Sequence, residues 1–100
     1  MMSFEVLIDL LAVQDIQDAV NYYEEKSTGL GKKFENELNE QIIFLAKNPF
    51  LRTRYENVRC LVLNVFPFMI HFTIDENLKT ITIRAVFHTS INPQKWNKRN

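Results

Sequence analysis

One hundred residues, 46% of them apolar and only two of them glycine, describe one globular domain and exclude a disordered or fibrous chain. A chain of this length buries roughly two thirds of its extended surface, enough for one core and little else. Net charge is zero, yet residues 1–50 hold nine acids and four bases while residues 51–100 hold three acids and eight bases, so an anionic partner meets the second half.

Phe4 to Ile8 is short, apolar and rich in β-formers, which predicts a first strand, and Asp9 stands where a helix N-cap belongs. From Leu10 to Lys26, Ala12, Ile16, Ala19, Val20 and Tyr23 recur at spacings of three and four, as an amphipathic helix requires. Gly29 and Gly31 end it. A second stripe through Phe34, Leu38, Ile42 and Leu45 predicts a helix from Leu30 to Lys47. Pro49 stops that helix, because the residue before a proline is driven out of the helical region. The two helices form an αα-hairpin.

From Val58 the apolar period becomes two. Val58 to Val65 is nearly continuous in apolar residues and reads as a central strand, while Phe68 to Ile74 and Thr80 to His88 alternate as half-buried strands. A two-residue turn at Glu76 and Asn77 would pair Ile74 with Lys79, Phe72 with Ile81 and Ile70 with Ile83. On that pairing Ile81, Ile83, Ala85 and Phe87 take the core face. His71, Met69, Arg84 and His88 then share the opposite face, which the main core leaves to solvent or to a bound macromolecule.

The single cysteine, Cys60, excludes an internal disulfide and a thiolate metal cluster, so a reducing cytoplasm is expected. The apolar run "VLIDLLAV" is interrupted by Asp9, follows Glu5 and has no basic residue before it, unlike a signal peptide. It also falls short of the roughly 18 apolar residues that a membrane span needs. Neither a metal nor a cofactor is expected.

Three stretches carry a family likeness. "DIQDAVNYYEEKSTGLGKKFENEL" sets paired tyrosines before a Gly-Leu-Gly turn and a phenylalanine. "NVRCLVLNVFPFMIHFTI" follows an Asn-Pro pair and runs from an arginine through a strand to a Phe-Pro-aromatic sequence, and "IRAVFHTSINPQKW" closes with a strand, a histidine, a proline and a tryptophan. Together, over about nine tenths of the chain, they resemble the RelE/ParE toxin superfamily and its ParE-like branch, the plasmid stabilisation toxins.

The resemblance implies an α+β fold: a short N-terminal strand, a helical hairpin, then a three-stranded antiparallel β-meander, forming one curved sheet with helices on one face. It also implies the toxin half of a bacterial type II toxin-antitoxin module, a growth inhibitor neutralised by a cognate antitoxin protein. Members differ in target, some binding DNA gyrase and others cutting messenger RNA on the ribosome. Neither a membrane nor a small-molecule substrate is implied.

A metal-free ribonuclease needs a base for the 2'-hydroxyl and cations at the phosphate. The candidates for that chemistry are His88, Arg84 and Arg59, of which His88 matches a family histidine. Met69, however, stands where ribonuclease members similar to this chain carry an arginine, and the lysine and arginine cluster of the RelE-like branch is absent. A toxin that acts by binding needs only an exposed surface of complementary charge, for which His71, Trp96, Lys95, Lys98 and Arg99 are the candidates. A scaffold that binds its antitoxin and nothing else is the third class. Each residue also has a plainer role available: Arg59 and Arg84 paired with carboxylates, Cys60 as a strand residue, and Trp96 anchoring the C-terminal turn on the sheet.

Overall fold

The computed structural model describes residues 3–99, the side chains of residues 97–99 excepted. In chain order the elements are β1 (Glu5–Ile8), α1 (Leu10–Lys26), α2 (Leu30–Lys47), β2 (Thr53–Tyr55), β3 (Val58–Val62), β4 (Phe68–Asp75), β5 (Thr80–His88) and a 3-10 helix (Pro93–Arg99). Both helices occupy the ranges that the apolar stripes predict. The hairpin turn depends on Gly29, whose φ of 90° lies in the left-handed region that a side chain disfavours. The Glu24 carboxylate accepts the backbone N–H groups of Gly29 and Gly31, which ties the start of α2 to α1.

The five strands form one sheet in the order β1-β5-β4-β3-β2. β1 lies parallel to β5, and the remaining neighbours are antiparallel. The expected meander is therefore present as β3-β4-β5, extended by β1 on one side and by β2 on the other. Three residues are too few for a period of two to register, which is why β2 left no mark in the pattern. β3 stops at Val62 instead of Val65 because the Glu37 carboxylate on α2 draws away the N–H groups of Asn64, Val65 and Phe66.

The helical hairpin covers one sheet face. Its Ala12, Ala19, Phe34, Leu38 and Leu45 pack with Ile70, Phe72, Ile81, Ile83 and Val86 of the strands. Fully burying side chains of this size contributes about 1.5–3 kcal/mol each relative to exposure. On the other face a second, smaller cluster gathers Met69, Ala85, Phe87 and Trp96, with Tyr55, Cys60 and Ile91 against it.

Two features correct the expected strand pairing. The turn after β4 uses four residues, Glu76 to Lys79, because the Asp75 side chain accepts Leu78 N–H and Lys79 takes a left-handed φ of 57°. Ile74 thus meets Ile81 and Phe72 meets Ile83. A β-bulge then intervenes: His71 faces Ala85, leaving Arg84 as the extra residue. Beyond the bulge the faces of β5 exchange, so Val86 turns into the main core while Ala85 and Phe87 join the second cluster. An alternation read along one strand cannot register an extra residue in it.

Candidate functional site

The bulge separates the residues expected to share one solvated face. His71 does lie on the face opposite the helices, but that face is covered: the imidazole is 0% exposed. The C-terminal 3-10 helix provides the cover, laying Trp96 across His71 with ring centroids 4.8 Å apart and planes at 76°. Phe87 closes the cage at 5.0 Å and Tyr55 at 5.8 Å. Within it Tyr55 Oη lies 3.1 Å from His71 Nδ1, and Cys60 Sγ lies 3.5 Å from the same nitrogen. The expectation of an imidazole presented to a macromolecule at position 71 is therefore corrected. A ring enclosed in this way cannot touch a partner's surface or a phosphate.

Trp96 is itself buried, at 7% exposure, so its indole works as an anchor and not as an exposed contact. The Arg54 guanidinium stands 5.7 Å from the indole ring on its outer side, a cation-π arrangement. Lys95, next to Trp96, is exposed, as are Arg52 and Arg54. The side chains of Lys98 and Arg99 lie outside the described residues. Burial pushes the Cys60 thiol up to about 11, with the positive charge of Arg54 pulling modestly the other way. Cys60 is thus a neutral strand residue at physiological pH.

The three groups proposed for hydrolysis are also apart. Arg84, the extra residue of the bulge, gives Nε to Thr73 Oγ1 at 3.1 Å and Nη1 to Asp9 Oδ2 at 2.9 Å. Arg59 sits opposite Phe72 in β3, where its Nε donates to Leu51 O at 2.7 Å. His88 sits opposite Phe68 at the far end of the sheet. Phe72 and Phe68 are four strand positions apart, roughly 13 Å, and two inter-strand steps add to that distance. With Arg59 turned to Leu51 O, these two side chains do not converge on one phosphate as placed.

His88 edges a shallow groove that Asp15, Asp18 and Tyr22 of α1 line along with Phe68. Its ring packs against Phe68 at 5.2 Å, and its Nδ1 accepts Ser90 N–H. Asp15 uses Oδ2 to accept Val86 N–H, the strand amide next to the bulge. Three roles that matter here escaped the sequence reading: that of Tyr55, because β2 is so short, and the acceptor roles of Asp15 and of Asp9, which was read only as an N-cap, because they join positions more than seventy residues apart. Among the described residues no group of three or more His, Cys, Asp or Glu side chains is arranged to hold a metal ion. No described helix is long and apolar enough to cross a membrane.

Residues 6–93 match the family described as the ParE toxin of type II toxin-antitoxin systems, parDE. The chain belongs to this family. No curated protein matches the toxin, but solved structures do. One is the chromosomal ParDE toxin-antitoxin system from P. aeruginosa, with 19% identity and a TM-score of 0.75, covering 88% of this chain and 98% of that one. A second is the RelBE2 toxin-antitoxin complex from Mycobacterium tuberculosis, with 14% identity and a TM-score of 0.61 over 86% of this chain and 98% of the other. A third is a mutant of E. coli toxin RelE in the free state, with 8% identity and a TM-score of 0.57 over 89% and 86%. At these identities the likeness establishes a shared fold. The toxin is a ParE/RelE-type α+β domain with two helices on a five-stranded mixed sheet.

Proposed function

We propose that this toxin arrests growth by binding its target, that the target is DNA gyrase, and that a cognate antitoxin neutralises it in the cytoplasm. The observation that carries this reading is the dispersal of the groups that hydrolysis would need together. His71 is enclosed, Arg84 is engaged by Asp9, Arg59 is engaged by Leu51 O, and His88 stands at the other end of the sheet. Membership of the ParE family supports gyrase over the ribosome by analogy within that branch, since fold alone does not choose a target. The contact surface in this reading is made of the exposed cations Arg52, Arg54 and Lys95, of which Arg54 stands over the anchored Trp96, with Lys98 and Arg99 following in the sequence.

Expression of the toxin alone tests the proposal. Growth arrest with a DNA-damage response and intact messenger RNA is the expected result, and co-expression of the antitoxin restores growth. Arrest with cleaved messenger and undamaged DNA would replace gyrase by the ribosome, and harmless expression would leave a scaffold that binds only its antitoxin.

One observation keeps the ribonuclease reading in play: His88 is half exposed beside the exposed Tyr22 and Asp18. If His88 supplies the proton transfer, with its phosphate held by groups other than Arg59, His88→Ala abolishes toxicity while antitoxin binding persists. Under the binding reading toxicity survives that change.

A further inference from the structure

The sheet ends on one side at β1, and that edge is open to a further strand. We infer that a second copy of the toxin docks there, β1 against β1 in antiparallel register about a two-fold axis at Leu7, so that two sheets join into one. The inference goes beyond the antitoxin and gyrase reading and holds whichever target the toxin has.

The backbone decides which groups are on offer. Glu5 N–H donates to Lys79 O at 2.9 Å and Asp9 N–H to Ile83 O at 3.0 Å, so the odd-numbered residues of β1 bond toward β5. Val6 and Ile8, between them, carry their N–H and C=O groups to the outer side. There Phe4 N–H is taken by Ala46 O at the end of α2, and no described strand pairs with Val6 or Ile8 beyond it. Edges of this kind are usually blunted by a proline, a bulge or a lysine. The Glu-Val-Leu-Ile strand has none of these, since the bulge of this sheet region lies in β5. Instead Leu7 is 49% exposed, Ile8 40% and Leu10 86%.

The strand is complementary to itself. With Leu7 on the axis, Val6 lies opposite Ile8 of the second copy and Ile8 opposite its Val6, and each of these pairs exchanges both backbone hydrogen bonds. Leu7 meets Leu7 at a non-hydrogen-bonded position, where side chains approach closest, and Phe4 comes opposite Leu10. A slip of one residue would set Val6 against Leu7, whose N–H and C=O already serve β5, and the bonds would be lost. Charge is matched as well. The start of β1 brings Glu5 and the Lys79 ammonium, which stands 5.7 Å from the Phe4 ring, while the end brings Asp9 with Arg84 at 2.9 Å. Antiparallel pairing sets start against end, Glu5 toward Arg84 of the second copy and Lys79 toward its Asp9, so no net charge opposes the contact. The open stretch is short, which places the dimer in the weak, concentration-dependent class.

The full-length toxin, without antitoxin, is followed by analytical ultracentrifugation and by amide hydrogen exchange as its concentration rises from about 1 μM to about 500 μM, the span of a weak interface. The expected mass moves from one chain to two, and exchange at Val6 and Ile8 slows over the same range while Leu7, bonded to β5, is protected throughout. Leu7→Lys sets two like charges on the axis and is expected to keep the chain single, with its circular dichroism unchanged. Under mild oxidation Leu7→Cys is expected to give a linked dimer, whereas Glu5→Cys, which meets Asp9 of the second copy, and the unaltered chain with Cys60 are not. A single-chain mass at every concentration would overturn the inference. So would a dimer that persists in Leu7→Lys with Val6 and Ile8 exchanging freely, or protection of those two amides that appears only when antitoxin is added, which would give the edge to the antitoxin.

Discussion

Arg84 and Asp9, separated by 75 positions in sequence, meet at 2.9 Å where β5 bulges and β1 gives way to α1. Asp9 occupies the N-cap position of α1, with the expected extended backbone, but its side chain makes no capping hydrogen bond. The carboxylate that would cap the helix is used to hold the guanidinium instead. One contact thus fastens the first strand to the last, fixes the bulge, and withdraws Arg84 from any role as a free phosphate ligand.

That clasp is about 40% exposed on both sides, so solvent screens it. Arg84→Ala is expected to lower unfolding free energy by no more than about 1 kcal/mol. Toxicity is expected to remain. A urea titration and a growth assay check the two parts, and loss of toxicity with stability intact would return Arg84 to the functional surface.

The two glycines of the hairpin turn should respond differently. Alanine normally favours a helix over glycine by up to about 1 kcal/mol. At Gly31, however, a Cβ would come 2.6 Å from Val20 O, backbone of the facing helix, and α2 must move away. Gly31→Ala is therefore expected to cost about 1–3 kcal/mol, the usual range for overpacking. Gly29→Ala meets nothing within 4 Å and suffers only the left-handed φ, at about 1–2 kcal/mol. Thermal denaturation of the pair separates crowding from backbone strain.

Glu37 accepts three consecutive backbone N–H groups from residues 27 to 29 positions away, the contact that ends β3 early. Glu37→Ala returns those donors to water and is expected to cost about 1–2 kcal/mol. Amide hydrogen exchange at Asn64, Val65 and Phe66 should accelerate, while the amides of β4 stay protected. Unchanged exchange at the three would mean that the carboxylate is not what orders the loop.

Cys60 gives a prediction in alkaline solution. Its thiol is raised from the ordinary value of 9.0 to about 11 in the folded chain, chiefly by burial. Below pH 9 the folded protein should react with iodoacetamide far more slowly than the urea-unfolded chain, because the thiolate is the nucleophile. Since the folded value lies above the unfolded one, the contribution to stability is complete below about pH 9 and is lost as pH rises toward about 11. Mass spectrometry of alkylated protein and stability measured against pH test the two statements.

Local periodicity was enough to delimit both helices and to recognise β3, β4 and β5. The apolar stripe of a helix or strand reflects which of its own sides is buried, and that information lies within a few residues. The Gly-Leu-Gly turn and the stop at Asn48 and Pro49 were legible for the same reason, as backbone preferences of single residues. Family likeness was carried by whole phrases of sequence.

The candidate site was decided elsewhere. Whether His71 and His88 share a face depends on one extra residue in β5, and Arg84 is a bulge only in relation to its partner strand. Whether the exposed-looking face of β4 is solvated depends on Trp96 returning 25 positions after His71 to cover it. Pairing register, bulges and lids are relations between segments distant in the chain, fixed by which packing satisfies the most buried groups at once. That balance exists only when the strands and the C-terminal segment have come together.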